Sequence, residues 1–290
     1  MTKLRALLLG IIAYITWGLS PIYFKTIQQL SESEIIIHRI IWSAVGCAIL
    51  LLFIKQKQWW KPLWQKPSYI WVLVFTGTLL SANWLLYVWA INHGFMLEVS
   101  LGYYINPLIS VFLGMIILKE KMRYLQWLAI ALATLGVIIQ IMLVGKLPWI
   151  SLLLGSSFSI YGLVRKMIPI KVIPGMTVET WSLLPFCLIW LWLMPSAVTL
   201  QPVFWHTNLW WLCLFAGPLT LIPLIFFNLA AKNLPYSTIG FLQYFSPTLI
   251  FILAVGYYNE PLNLYTIYTF GFIWLALVLF SIDSIRAYKK

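Results

Sequence analysis

Charged residues are scarce in this chain of 290 residues, at 9%, whereas soluble domains carry about a quarter. Hydrophobic residues make up 62% of it, more than the core of a soluble domain usually takes up. The sequence also has no long polar insert and no low-complexity stretch. It therefore predicts one all-α integral membrane domain over residues 1–290, embedded in a lipid bilayer, without a separate soluble domain.

Side chains that carry out chemistry are also few. Asp283 is the one aspartate, which excludes a paired-aspartate intramembrane protease. The three histidines and three cysteines are scattered without the spacing of metal ligands or of a disulfide framework. No His-Glu-x-x-His, glycine-rich phosphate loop or nucleophile elbow occurs. We therefore predict no enzyme activity, no metal and no cofactor.

Apolar runs long enough to cross a bilayer, about 20 residues each, recur along the chain. Proline, glycine and basic residues separate them. Ten predicted transmembrane helices begin near Leu4, Ile35, Tyr69, Val99, Leu125, Trp149, Met176, Leu209, Ser237 and Tyr265.

Basic residues fall mainly on one side of these predicted helices. Of the 19, 16 lie on the same side, and only Lys25, Arg39 and Lys146 lie on the other. Lys and Arg beside spans are retained in the cytoplasm, so both termini are predicted to be cytoplasmic. The same sorting accounts for the net charge of +12, which in a soluble protein would suggest a nucleic-acid surface. No nucleic-acid partner is predicted.

One passage of the sequence occurs twice, at residues 98–120 and 238–260, with a constant offset of 140. The identical matched residues are Tyr104 and Tyr244, Pro107 and Pro247, Leu113 and Leu253, and Glu120 and Glu260. Because each copy belongs to a unit of five spans, an odd number, the second unit has to be inverted in the bilayer. We predict two inverted five-helix repeats, over about residues 1–145 and about 146–290.

Polar residues inside the predicted spans indicate a binding site, because such groups are unfavourable against lipid. Arg39 lies within the second span, where it either faces the bundle interior and attracts an anion or extends to the headgroups. Asn83 and Trp84 share a surface of the third span that can bind a polar solute bearing a ring. The alternative for Asn83 is a hydrogen bond between helices.

The repeated passage supplies a matched pair of polar clusters. Tyr104 and Asn106 belong to the first copy, Gln243 and Tyr244 to the second, and a proline follows each matched tyrosine after three residues. Proline frees a backbone carbonyl, which membranes tolerate around a cavity. We predict a site between the repeats, with two structural kinks as the alternative. The predicted substrate-binding residues are Arg39, Asn83, Trp84, Tyr104, Asn106, Gln243 and Tyr244.

Three further residues are candidates for proton coupling. Glu34 and His38, four residues apart, share a face at the outer end of the second span. Glu98 begins the fourth span, where a charge favoured by the helix dipole is the alternative. Glu120 and Glu260 end their helices and are predicted to form caps or salt bridges.

Several longer motifs extend along the chain, and they lie at residues 38–43, 83–92, 96–108, 161–166, 240–249 and 272–277. Together they resemble the RarD-type branch of the EamA family, in the drug/metabolite transporter superfamily. The resemblance implies a ten-helix carrier of the bacterial inner membrane with inverted halves, described as an exporter of small metabolites, and a subfamily name tied to chloramphenicol sensitivity. The family often places glycine before its helix-ending glutamates, where this chain has Lys119 and Asn259.

The sequence thus predicts a secondary transporter that exports small amphipathic solutes by alternating access between its halves. Amino-acid-like or aromatic compounds are the expected substrates, with phenicol-type drugs as a further candidate. A membrane channel and a non-transporting assembly subunit stay open as alternatives. No oligomeric state is predicted.

Overall fold

The computed structural model describes residues 1–53, 58–93, 95–144, 149–257 and 264–289. This part of the chain is almost entirely helical and contains no strand. The helices are α1 (Lys3–Thr26), α2 (Glu32–Phe53), α3 (Lys61–Gln65), α4 (Ser68–Asn92), α5 (Met96–Ile116), α6 (Tyr124–Val144), α7 (Trp149–Met167), α8 (Val172–Leu193), α9 (Pro202–His206), α10 (Leu209–Asn233), α11 (Tyr236–Leu242), α12 (Phe245–Gly256) and α13 (Leu264–Lys289). A 3₁₀ turn at Val198–Leu200 precedes α9.

Every predicted span begins within four residues of the first residue of an observed helix. In the described part of the chain, six helical segments are long and apolar enough to cross a membrane, namely Lys3–Thr26, Glu32–Phe53, Ser68–Ala90, Val172–Leu193, Leu209–Asn233 and Tyr236–Leu253. Three shorter apolar helices are Gly102–Ile116, Tyr124–Ile139 and Trp274–Asp283. The all-α membrane class is confirmed, and the count of ten crossings stays a prediction.

Helix α1 shows how these helices are placed in the bilayer. One of its faces exposes aliphatic side chains at helical spacing, namely Leu4, Leu8, Ile12, Ile15, Leu19 and Ile22. The other face carries small residues and packs against α10 and α12. A Cβ atom added at Gly18 would lie 3.0 Å from the carbonyl oxygen of Ser246. Aliphatic residues toward lipid and small residues toward neighbouring helices are typical of membrane bundles.

Helix positions recur along the chain with almost the same offset as the repeated passage. The matched starts are Glu32 and Val172, Ser68 and Leu209, Met96 and Tyr236, and Tyr124 and Leu264. Helix packing follows the same rule: α5 packs on α7 as α12 packs on α1, and α2 packs on α10 as α8 packs on α4. A duplicated unit predicts this spacing and this packing.

The two matched prolines have different effects on their helices. Pro107 lies inside α5, which continues through it as a helix. In the second copy the helix is interrupted at Gln243 and Tyr244, between α11 and α12 and just before Pro247. A proline ring clashes with the carbonyl four residues earlier, which is that of Gln243. That carbonyl instead accepts a hydrogen bond from the Ser246 N–H at 3.0 Å. Only the second copy is therefore interrupted.

The predicted capping role of Glu120 agrees with its contacts. Its carboxylate accepts hydrogen bonds from the backbone N–H of Tyr236 and of Ser237, and from the Ser237 hydroxyl at 2.7 Å, at the start of α11. Lys119 has a φ of 54°, in the left-handed region that glycine adopts most readily. Lys119 thus takes a backbone conformation in the turn that glycine would adopt with less strain. Glu260 lies outside the described residues.

We expect Glu120→Ala to lower the free energy of unfolding by about 1–3 kcal/mol, because partly buried N–H groups at the start of α11 lose their acceptor. Denaturation of the purified protein in detergent measures this change. Lys121→Ala, at an exposed neighbouring residue, should shift stability by no more than about 0.5 kcal/mol. Equal stabilities of the two variants would contradict the capping role.

Candidate functional site: a central cavity

A cavity of about 70 Å³ lies among α1, α2, α4, α5, α7 and the break between α11 and α12. Seven of its sixteen lining residues are aromatic: Tyr14, Trp17, Phe24, Trp84, Tyr87, Tyr103 and Phe158. Six are polar: Ser20, Arg39, Asn83, Asn106, Gln243 and Ser246. Among the described residues, the lining thus combines ring faces with amides, hydroxyls and one cation and includes no carboxylate.

Arg39 is that cation, and its side chain is 7% exposed. Its Nε donates a hydrogen bond to Thr220 Oγ1 at 3.0 Å. The guanidinium carbon lies 3.9 Å from the centroid of the Trp84 ring, a cation–π contact. Within the described part of the chain, no carboxylate lies within 4.0 Å of it. Arg39 therefore faces the bundle interior and not the headgroups.

Two amide side chains of the cavity also connect helices. Asn83 on α4 donates hydrogen bonds to the Leu154 carbonyl at 2.9 Å and to Ser157 Oγ at 2.8 Å, both on α7. Asn106 Oδ1 accepts a hydrogen bond from Ser159 Oγ at 2.9 Å, also on α7. These contacts fit the alternative of hydrogen bonds between helices, and they fix both amides at the cavity wall.

Residues at equivalent positions of the two predicted repeats meet at this cavity. Tyr103 and Gln243 both line it, as do Asn106 and Ser246, and the members of each pair are separated by the offset of the repeated passage. The cavity thus lies across the axis that would relate the two repeats.

Five of the seven predicted substrate-binding residues line the cavity, while Tyr104 and Tyr244 do not. These two tyrosines are 2% and 0% exposed in an apolar core. The Tyr244 hydroxyl donates a hydrogen bond to the Tyr104 carbonyl at 3.3 Å, so the two matched residues touch each other. Tyr103 takes the place in the lining. Helical spacing could have indicated this. Tyr103 lies three residues before Asn106 and therefore shares its helical face, whereas Tyr104 lies only two residues before it and does not.

Glu34 and His38 form a polar cluster away from the cavity. The Glu34 carboxylate accepts hydrogen bonds from the N–H and the hydroxyl of Ser31 and from the same two groups of Thr199. His38 Nε2 lies 3.1 Å from Thr199 Oγ1, and its ring stacks on Phe204. These hydrogen bonds hold the 3₁₀ turn at Val198–Leu200 against α2. The Glu98 side chain lies outside the described residues, and the coupling roles of all three residues stay predictions.

A second buried charged cluster was missed at the sequence level. Arg165 is 0% exposed, and its Nε lies 3.3 Å from Glu179 Oε1, on a carboxylate that is 5% exposed. The Thr76 hydroxyl donates to the same oxygen at 2.6 Å. The distribution of basic residues predicts Arg165 on the cytoplasmic side, and this stays a prediction; the structure adds that its side chain is buried inside the bundle. A carboxylate seven residues into an apolar helix was itself the signal for Glu179.

The cavity presents ring faces and polar groups that can bind a solute. In the described part of the chain no three His, Cys, Asp or Glu side chains lie together as metal ligands would. An apolar exterior around a polar central cavity characterises proteins that move solutes through membranes.

The comparisons with known proteins agree with this class. The EamA-like transporter family matches residues 4–142. An uncharacterized transporter of Pseudomonas aeruginosa is 50% identical, covering 99% of this chain and 96% of its own length. Protein RarD of Escherichia coli is 43% identical, covering 99% of this chain and 97% of its own length. The chain therefore belongs to the EamA-like transporter family, in its RarD group, and is a multi-pass bacterial inner-membrane transporter.

A crystal structure of another protein shares the fold. The superposition covers 96% of this chain and 97% of the other chain, with a TM-score of 0.70. The sequence identity of 18% limits this likeness to the architecture.

Proposed function

We propose that the protein is a secondary transporter that exports small amphipathic metabolites by alternating access between two inverted repeats. The observation that carries this proposal is the central cavity with one buried cation, Arg39, among seven aromatic rings. A cation without a carboxylate partner in the described residues can attract an anionic group of a solute, because the solute's charge offsets the desolvation of both. The rings supply the apolar contacts.

Amino-acid-like and aromatic carboxylates are therefore the first candidate substrates. Trp84 and Phe24 both lie against the Arg39 guanidinium, so a flat solute that pairs with Arg39 would also meet aromatic rings. Phenicol-type drugs match the aromatic and polar parts of the cavity, although they have no carboxylate for Arg39. At about 70 Å³, the cavity is smaller than the roughly 300–1,000 Å³ of drug-sized ligand sites, so a bound solute requires the helices to move apart.

Alternating access is supported by how the cavity ends. At one end of the cavity, Phe227 and Tyr161 are almost fully buried and contact the lining ring of Phe158. Beyond them, the Tyr236 hydroxyl donates to the Ser159 carbonyl where Gly162 leaves room. This sealed end is formed by the ends of α7 and α10 and the starts of α8 and α11. Exchanging the arrangements of two inverted repeats would open this sealed end.

A thermal-shift screen followed by counterflow tests the proposal. A ligand present at about 100 times its Kd stabilises the folded protein by about 2.7 kcal/mol, so amino acids, aromatic carboxylates and phenicols can be compared directly. Each hit is then loaded into proteoliposomes for counterflow of its labelled form. We expect saturable counterflow. Non-saturating flux would indicate a channel, and binding without any flux would indicate a non-transporting subunit.

The double variant Tyr103→Ala/Gln243→Ala removes one matched pair of cavity residues. We expect at least about a tenfold loss of uptake, since each ring or hydrogen-bond contact contributes about 1 kcal/mol and about 1.4 kcal/mol is a factor of ten. Trp192→Ala, at a residue 80% exposed on the lipid side, is the matched control and should transport normally. Unaltered uptake by the double variant would exclude this cavity as the transport site.

A further inference from the structure

Glu179 occupies the position in α8 that Arg39 occupies in α2. Each is the eighth residue of its helix, and the offset of the repeated passage separates the two. Each also makes a hydrogen bond to a threonine of the helix that faces it, Arg39 to Thr220 on α10 and Glu179 to Thr76 on α4. If the repeats exchange arrangements, Glu179 becomes a cavity residue on the opposite side. Glu179, buried at the sealed end, is therefore the charged counterpart of Arg39.

A second, smaller cavity of about 30 Å³ links these two charges. Arg39 and Glu179 both line it, together with the hydroxyls of Ser43, Ser81, Thr180 and Thr220. Ser43 is 2% exposed, and its hydroxyl has no hydrogen-bond partner among the described residues. Hydroxyl groups therefore line the space between Arg39 and Glu179.

Arg165 depends on the charge of Glu179. Its Nη2 donates to the Val172 carbonyl at 3.1 Å and its Nε lies 3.3 Å from Asn228 Oδ1, but Nη1 has no partner among the described residues. A Cβ atom at Gly175 would clash with Nη1, so the guanidinium fills the space between α7 and α8. A buried cation that loses its counter-charge is strongly destabilised.

The other ionisable groups around Glu179 come from three helices. They are Tyr161 beside Arg165 on α7, Lys232 on α10, and Arg39 and Cys47 on α2. Helix α4 contributes the Thr76 hydroxyl. In the described part of the chain, Arg165 alone forms an ion pair with the carboxylate, so protonation of Glu179 chiefly affects Arg165.

We infer that Glu179 is the proton-binding site of the transport cycle, and that its protonation releases Arg165 and opens the sealed end. The step transfers one proton from a hydronium ion of the solvent to a Glu179 carboxylate oxygen, which leaves a water molecule and changes no other bond of the protein. Arg165 then gains solvation only when α7 and α8 separate, so proton binding and opening favour each other. This inference rests on the proposed alternating-access cycle.

A cysteine reporter at the sealed end tests the inference without a known substrate. Ala231 on α10 is 0% exposed, and its carbonyl accepts a hydrogen bond from Lys166. Ala231→Cys is made in a background where the three native cysteines are alanine, and it is reacted with a charged thiol reagent in detergent. The rate is divided by that of Thr2→Cys, at an exposed residue, which cancels the pH dependence of the reagent.

We expect the normalised rate at about pH 5.5 to exceed that at about pH 8 by at least about tenfold in the parent. Glu179→Gln should react rapidly at both pH values, with less than about a twofold difference between them. Glu179→Asp, which keeps a carboxylate, should retain the pH dependence and also serves if Glu179→Gln folds poorly.

Two results would overturn the assignment of Glu179: a parent that reacts readily and at the same normalised rate at both pH values, or a pH dependence that Glu179→Gln preserves. A different result would overturn the alternating-access cycle itself. In that case the cysteine at position 231 and a second reporter, Leu234→Cys, would stay unreactive at both pH values and in Glu179→Gln. The two failures are therefore distinguishable.

Discussion

Arg39→Gln should weaken binding of an anionic ligand at least about thirtyfold, the largest functional effect that we expect from a single substitution. Removing one partner of a buried charge pair costs about 2–5 kcal/mol, and about 2 kcal/mol corresponds to that factor. The affinity of Arg39→Lys should fall between those of the parent and Arg39→Gln, because an ammonium keeps the charge but lacks the planar group that stacks on Trp84. Titration of tryptophan fluorescence with an aromatic carboxylate measures the affinity, since Trp17 and Trp84 line the cavity.

A neutral partner ligand separates a charge effect from a loss of cavity shape. The corresponding aromatic amide should bind the parent and Arg39→Gln with affinities within about threefold of each other, since about 0.7 kcal/mol separates them at most. Lys25→Gln removes an exposed basic residue near the end of α1 and should leave the carboxylate affinity unchanged. Equal carboxylate affinities of the parent and Arg39→Gln would show that Arg39 does not receive the anion.

The helices could be predicted from the sequence because the length of an apolar run is a local property. Each predicted start lies close to an observed one, and the nearly constant offset between matched helices is visible in both sequence and structure. The break between α11 and α12 was less predictable. Pro107 and Pro247 each follow a tyrosine by three residues, yet α5 continues through its proline. Contacts with neighbouring helices decide whether a freed carbonyl bends a helix or breaks it.

The candidate site was predictable where helical faces determine it. Arg39, Asn83, Trp84, Asn106 and Gln243 line the cavity as their positions indicated. The ion pair at the sealed end was harder to predict, because Arg165 and Glu179 lie on different helices and the sequence does not show which helix faces meet. Arg165 also lies two residues from the end of α7, where a basic residue ordinarily belongs to the cytoplasmic flank.

Arg165→Met is expected to lower the free energy of unfolding by about 3–5 kcal/mol, the largest loss of stability from a single change. The methionine fills much of the same space, but it leaves the Glu179 carboxylate buried without its counter-ion, and an uncompensated buried charge has a cost of this size. Reversible unfolding of the purified protein from detergent micelles into denaturing detergent measures it. Arg5→Met, at an exposed residue near the start of α1, is the matched control and should change stability by no more than about 0.5 kcal/mol.

The double variant Arg165→Met/Glu179→Met distinguishes a pairing effect from a packing effect. If the loss arises from the unpaired charge, the second methionine removes that charge and should restore most of the stability, since apolar replacements of buried ion pairs are often neutral or stabilising. The two substitutions would then show a favourable coupling of at least about 2 kcal/mol in a double-mutant cycle. Additive losses would mean that the two side chains contribute separately. In the double variant residue 179 is no longer ionisable, so opening of the sealed end should lose the pH dependence that we assign to Glu179.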